Sequence, residues 1–305
     1  MTNFTKTYPR ARSQTLLMSL ILSLTIISCV NKPKPINSIS SASNTTSVAT
    51  AAIDPNQLQL DKAIERELKG DEFHSYTIKL EANQYLNAVV EQKGIDIVVT
   101  LYSPNGEKVY EVDSPNGSAG PEPIYFISQT AGIYRLEVRS LEKEAKTGNY
   151  EVKVNELRAS IAEDIDRVAG FKTLGEVVLL QGEGKRENLQ IVIKKYQEAI
   201  EKFDKANELL AKANATLGLG SFYSDKGDYS KAELLFIETL NIRRKVLGEN
   251  HPNTATSINN LAGLYNDKGD YAKAEPLLIR ALEIYRKTLG ENHFATANST
   301  NILAR

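Results

Sequence analysis

Tryptophan is absent from this 305-residue sequence, cysteine occurs once, methionine twice and histidine three times. A single cysteine excludes an internal disulfide and any metal site built on several thiolates. His74, His251 and His293 leave little imidazole for a catalytic or metal-binding cluster. An excess of charge of one sign is also lacking: 37 Lys and Arg stand against 38 Asp and Glu. Nucleic-acid-binding domains normally carry a basic excess, so nucleic acid is not an expected partner. The phosphate loop is missing as well, since the run from Gly170 to Gly175 is followed by Glu176 rather than Lys. Residues 116–120 (NGSAG) lack the first glycine of a nucleophile elbow, and HExxH, CxxC and GxGxxG do not occur. These absences argue against an enzyme, and no cofactor or metal is expected. What is present is an ordinary composition, 41% hydrophobic and 25% charged. The length allows about two domains.

Charge follows the organisation of the chain. Residues 1–54 hold five basic and one acidic residue, residues 55–157 eleven and seventeen, and residues 158–305 twenty-one and twenty. The basic opening (Lys6, Arg10, Arg12) precedes an apolar run from Leu16 to Ile27. Twelve residues of helix span about 18 Å, short of a bilayer core of about 30 Å. Basic residues before a short apolar run read as an export signal. The lone Cys29 follows Ile26-Ile27-Ser28. That run resembles the lipobox of bacterial lipoproteins, which implies lipidation of the Cys29 sulfur, cleavage before it and a membrane-anchored protein facing the extracytoplasmic side. A plain secretory signal and an uncleaved anchor are the alternatives. Residues 30–56, rich in Ser, Thr, Asn, Ala and Pro, read as a flexible linker.

Residues 57–157 read as an antiparallel β-sandwich, jelly-roll-like, because short alternating runs are separated by turn residues. The expected strands are Phe73–Leu80, Tyr85–Glu91, Asp96–Tyr102, Lys108–Val112, Pro123–Ser128, Gly132–Arg139 and Gly148–Val154, with one more inside Leu58–Leu68. Turns at Ser103-Pro104-Asn105-Gly106 and Ser114-Pro115-Asn116-Gly117 pair a preset φ with residues that tolerate positive φ. Residues 67–109 and 131–154 are similar to the bacterial pre-peptidase C-terminal domain. The resemblance implies a small accessory sandwich without catalytic residues of its own. Asp96, Asp113 and Glu122 are the acidic candidates for calcium, but no loop alternates acidic residues as a calcium loop does. Tyr102, Tyr110, Tyr125 and Tyr134 are expected to pack between the sheets, and His74 to be structural.

From residue 158 the pattern turns helical and repeats. Residues 219–251 and 261–293 are identical at 21 of 33 positions, an offset of 42. Large residues at Leu261, Tyr265 and Leu278 and small ones at Ala262, Ala274 and Ala281 match Leu219, Tyr223, Ala232 and Phe236 in the preceding unit. Small residues let two helices approach while large ones fill the groove. The pattern resembles tetratricopeptide repeats, and the 42-residue length with LGENHP between units resembles those of kinesin light chains. An α-solenoid is therefore expected over 213–305, with units at about 213–251 and 254–293 and a partial one at 295–305. Residues 158–212 read as a degenerate repeat that caps the array. Pro276 is expected to kink its helix or limit its first turns, and His251 and His293 to cap repeated turns.

The expected function is a non-enzymatic protein-interaction scaffold, with the membrane contacted only through the lipid. By the resemblance, the first helix of each unit lines the inner groove, placing Ser221, Ser224, Asn259, Gly263, Asn266 and Asn301 toward a peptide. Amide side chains suit a peptide backbone because they donate and accept together. The chain stops early in a third unit and reads as truncated. Its domain order resembles the N-terminal part of CHAT (caspase-like) peptidases, so a regulatory region of such an enzyme is one alternative. Glycan binding by the sandwich is another.

Overall fold

A computed structural model describes residues 54–113 and 118–303. The expected export signal, Cys29 and most of the linker lie outside the described residues, as does the Asn116-Gly117 turn. The chain forms two compact units, one ending at Ala159 and one running from Ser160.

The first unit is a sandwich of eight strands: β1 (Ala63–Leu68), β2 (Phe73–Leu80), β3 (Gln84–Lys93), β4 (Ile97–Tyr102), β5 (Lys108–Val112), β6 (Ala119–Ile127), β7 (Gly132–Ser140) and β8 (Gly148–Ala159). One sheet has the order β1-β8-β3-β6 and the other β2-β7-β4-β5, with antiparallel pairing throughout. The pairs β4·β5, β3·β6, β2·β7 and β1·β8 are the rungs of one long hairpin folded over itself, which is the jelly-roll arrangement. Alternation buries Tyr76, Ile78 and Leu80 of β2 against Leu86, Ala88 and Val90 of β3 in a single core.

Each open side of the sandwich is closed by a tyrosine. On one side Tyr76 Oη lies 2.5 Å from Tyr150 Oη, which in turn lies 2.7 Å from His74 Nδ1. On the other, Tyr110 Oη donates to the Pro123 carbonyl at 2.9 Å. Two of the strands that run past their sequence signal do so by four residues or more. β6 begins before Pro121 and Pro123, prolines of the same parity on an edge strand, where the missing N–H groups owe nothing to the ladder. β8 continues to Ala159 because a register shift at Asn87/Ala88 keeps it paired with β3. There Arg158 stacks 4.7 Å from the centre of the Tyr85 ring. Tyr102 departs from its expected place between the sheets: it lies on the outer face, beneath the Arg135 guanidinium at 4.0 Å.

The second unit is a series of helical hairpins: α1 (Ala162–Gly182) with α2 (Leu189–Lys205), α3 (Leu209–Asp225) with α4 (Tyr229–Leu247), α5 (Pro252–Asp267) with α6 (Tyr271–Leu289), then α7 (Phe294–Leu303). The helix starts are set locally. Asp228 and Asp270 cap α4 and α6, their carboxylates accepting from the amides of Lys231 and Lys273. Gly227 and Gly269, at φ +79° and +75°, turn the chain just before them. His251 and His293 cap α5 and α7, each Nδ1 accepting from a backbone amide two residues on at 3.1 Å. The expected kink at Pro276 does not divide α6, which runs unbroken through it.

Close approach within the hairpins rests on small residues. A Cβ on Gly220 would sit 2.8 Å from the Phe236 ring, and one on Gly170 2.7 Å from the Phe203 ring. Gly170 and Phe203 thus play in α1–α2 the part that Gly220 and Phe236 play in α3–α4, so residues 162–205 form a full hairpin.

Candidate functional site

The first helices of successive hairpins, α1, α3, α5 and α7, are where the sequence places the interaction surface. Leu219, Ala232, Phe236, Leu261, Ala262, Tyr265, Ala274, Leu278 and Ala281 are all buried, and Tyr223 is half-buried against the same clusters. The polar candidates divide. Ser224, Gly263 and Asn266 are half-buried and Asn301 is exposed. Ser221 and Asn259 are buried. Asn259 is turned to a neighbouring helix rather than to an open groove, its Oδ1 accepting from Ser299 Oγ of α7 at 2.7 Å. Leu217, the counterpart of Asn259 one unit earlier, lies in the apolar cluster that joins α3, α4 and α5. These two positions hold first helices together, which limits the reachable polar set to Ser224, Gly263, Asn266 and Asn301.

The helix contacts around this face are more polar than the repeat pattern conveys. Arg243 of α4 is only 1% exposed. Its guanidinium donates to the Asn253 carbonyl at 2.9 Å, Ser257 Oγ at 3.0 Å and Asn214 Oδ1 at 2.7 Å, tying α4 to α5 and α3. Burial pushes its pKa down to about 10. The second unit has Tyr285 at the same place, donating to Thr256 Oγ1 at 3.0 Å. Comparison of the two units does single out Arg243 as a basic residue where the other unit has an aromatic one.

A second contact joins α4 to α5. Glu233 accepts from Tyr265 Oη at 2.8 Å and from Lys268 Nζ at 2.7 Å. The Lys268 bond, then the Tyr265 bond, holds the Glu233 carboxyl below its usual range. Burial, then the bond to Glu233, raises Tyr265 to about 12. Beyond it, a cavity of ≈ 320 Å³ opens between α6 and α7, with Asn266 on its wall.

In the sandwich, the acidic residues weighed for calcium are dispersed in role. Glu122 is buried, accepting from Gln92 Nε2 at 2.8 Å. Asp96 and Asp113 have raised pKa values, mainly from burial. Among the described residues no group of three or more His, Cys, Asp or Glu converges to hold a metal ion. No described helix is long and apolar enough to cross a membrane.

Residues 211–277 and 256–305 match the family model of the tetratricopeptide repeat. No curated protein matches the chain. Among solved structures, the chain is similar to the pre-peptidase C-terminal domain of collagenase from Bacillus anthracis, with 20% identity over 33% of this chain and 93% of that one, TM-score 0.28. It is similar to the kinesin light chain TPR-like repeats from Podosopora anserina, with 22% identity over 45% of this chain and 65% of that one, TM-score 0.40. It is also similar to PliG of Aeromonas hydrophila, a periplasmic lysozyme inhibitor, with 10% identity over 32% of this chain and 94% of that one, TM-score 0.27.

Proposed function

We propose that this protein is a non-enzymatic scaffold that binds an extended protein segment along the first-helix face of its repeats, and that it works outside the cytoplasm, held to a membrane by lipid on Cys29. The observation that carries the reading is the repeat array itself, matched by the tetratricopeptide model over residues 211–305. Ser224, Gly263 and Asn266 leave polar and backbone groups within reach there. Export and lipidation are supported by the order of basic residues, apolar run and Cys29.

Two variants test the binding face. Ser224→Arg with Asn266→Arg places bulk and charge on it without touching the buried clusters. Capture from extracts of the source cells is expected to lose a defined set of proteins with this double variant and to keep it with Lys79→Ala on the sandwich. Identical capture by both overturns the assignment of the face. Intact-mass analysis tests the anchor: the expected mass begins at Cys29 with acyl groups added, and a mass beginning at Met1 contradicts it.

A further inference from the structure

The helix ends along the candidate face differ in charge from those behind it. Each second helix carries basic residues in its last turn: Lys202 and Lys205 in α2, Arg244 and Lys245 in α4, Arg286 and Lys287 in α6. Such cations offset the negative end of the helix dipole. The first helices α1, α3 and α5 have no basic residue there. Instead α3 ends on Asp225 and α5 on Asp267. Because each hairpin reverses the chain, α3 and α5 run the same way and their negative ends lie on one edge of the array.

Both carboxylates belong to the candidate face. Asp225 stands four residues after Ser221 and next to Ser224, as Asp267 stands four after Gly263 and next to Asn266, so each ends the same helical stripe. The lysines that follow are drawn elsewhere. Lys226 Nζ lies 5.6 Å from the centre of the Phe222 ring, and Lys268 Nζ donates to Glu233 at 2.7 Å. Asp225 is open to solvent on one side and makes no hydrogen bond or ion pair among the described residues. Crowding by protein on its other sides raises its pKa, opposed by Lys226 and reinforced by the Asp267 charge. One turn earlier, Ser221 is 8% exposed, and its buried Oγ has no hydrogen-bond partner. The floor beside the carboxylate thus holds an acceptor for which the fold supplies no donor.

We propose that the edge formed by Asp225 and Asp267 takes a lysine or arginine side chain, so that the segment bound on the first-helix face is a basic one. The inference rests on that face being the binding face and adds the chemistry of its partner. A cation seated there donates charge-assisted bonds to Asp225, the stronger kind. It also supplies the positive charge that the ends of α3 and α5 lack. An acidic segment would instead meet two carboxylates and two negative helix ends.

The probe is a library of random dodecapeptides displayed on phage and selected on the immobilised full chain. Selected peptides are expected to share a lysine or arginine at one position and to be lost with Ser224→Arg plus Asn266→Arg. A fluorescent synthetic copy of the strongest, read by anisotropy, is expected to bind Asp225→Asn at least tenfold more weakly than the parent. Glu275→Gln, which removes the same charge from an exposed position on α6, is expected to leave its binding unchanged. Asp225→Lys is expected to abolish binding, and changing the shared basic residue of the peptide to Glu to restore it. Asp225 supports no internal contact, so its variants keep their helical ellipticity, which is checked alongside. Peptides lost with the double variant that share no basic residue, or that bind Asp225→Asn as tightly as the parent, overturn this proposal and leave the binding face standing. Peptides indifferent to the double variant, or no enriched peptide at all, overturn the face and the proposal with it.

Discussion

Substituting Gly220 by Ala sets two effects against each other. In a helix interior, Gly→Ala stabilises by about 1 kcal/mol through propensity alone. Here, however, the new Cβ would lie 2.8 Å from two carbons of the Phe236 ring and 3.2 Å from Leu235 Cβ. Overpacking of this kind costs about 1–3 kcal/mol. Phe236 is 3% exposed and has little room to retreat, so the clash is expected to win and Gly220→Ala to destabilise by roughly 1 kcal/mol. Phe236→Leu alone leaves a gap and is expected to cost about 1 kcal/mol. The double variant recreates the pair found one unit later, Ala262 with Leu278, both buried. It should recover most of both losses, a coupling of about 1–2 kcal/mol. Urea unfolding of the full chain followed by far-ultraviolet ellipticity measures all three variants. Losses that simply add would refute the argument that a missing side chain at 220 is what admits the ring.

Three further outcomes follow from the polar contacts. Tyr150→Phe removes the centre of the inter-sheet clasp and should destabilise the sandwich by about 1–3 kcal/mol, more than Tyr76→Phe, which leaves the His74 contact intact. Hydrogen exchange in β2 and β8 peptides is the readout, and equal effects count against the clasp. Burial, then the Arg243 charge, lowers the His251 pKa from its ordinary 6.5. The unfolded chain therefore takes up a proton first on acidification, so the stability tied to neutral His251 is present above pH 6.5 and lost as pH falls below it. His251→Ala should cost about 1 kcal/mol of cap near neutrality and flatten that acid slope. Arg243→Lys cannot fork between Asn214 and Ser257, so it should unfold α3–α5 at lower urea than the parent. An unchanged midpoint would show that the fork is dispensable.

Much of the architecture is legible in the residues because local signals agree with the fold. Gly227-Asp228 and Gly269-Asp270 end one helix and start the next, and alternation in 73–80 gives β2 its inner face. The parts that are not legible depend on partners distant in sequence. The tail of β8 carries no alternating apolar signal after Leu157 and is held by its pairing with β3. Pro121 looks like a strand breaker until β6 is seen to be an edge. On the candidate face, helical spacing alone does not distinguish Asn259, which bonds to Ser299, from Asn266, which stays within reach. That difference is set by how closely α7 approaches α5.

The central claim is that partners are bound on the first-helix face. The most direct test places a photo-crosslinking amino acid at position 224 or 263 on that face, or at 280, an exposed position on α6. The chain is irradiated in its own cells, and the attached peptides are sequenced. The account predicts that 224 and 263 capture the same protein segment while 280 does not. Capture of that segment from 280 alone, or from all three positions equally, would contradict it.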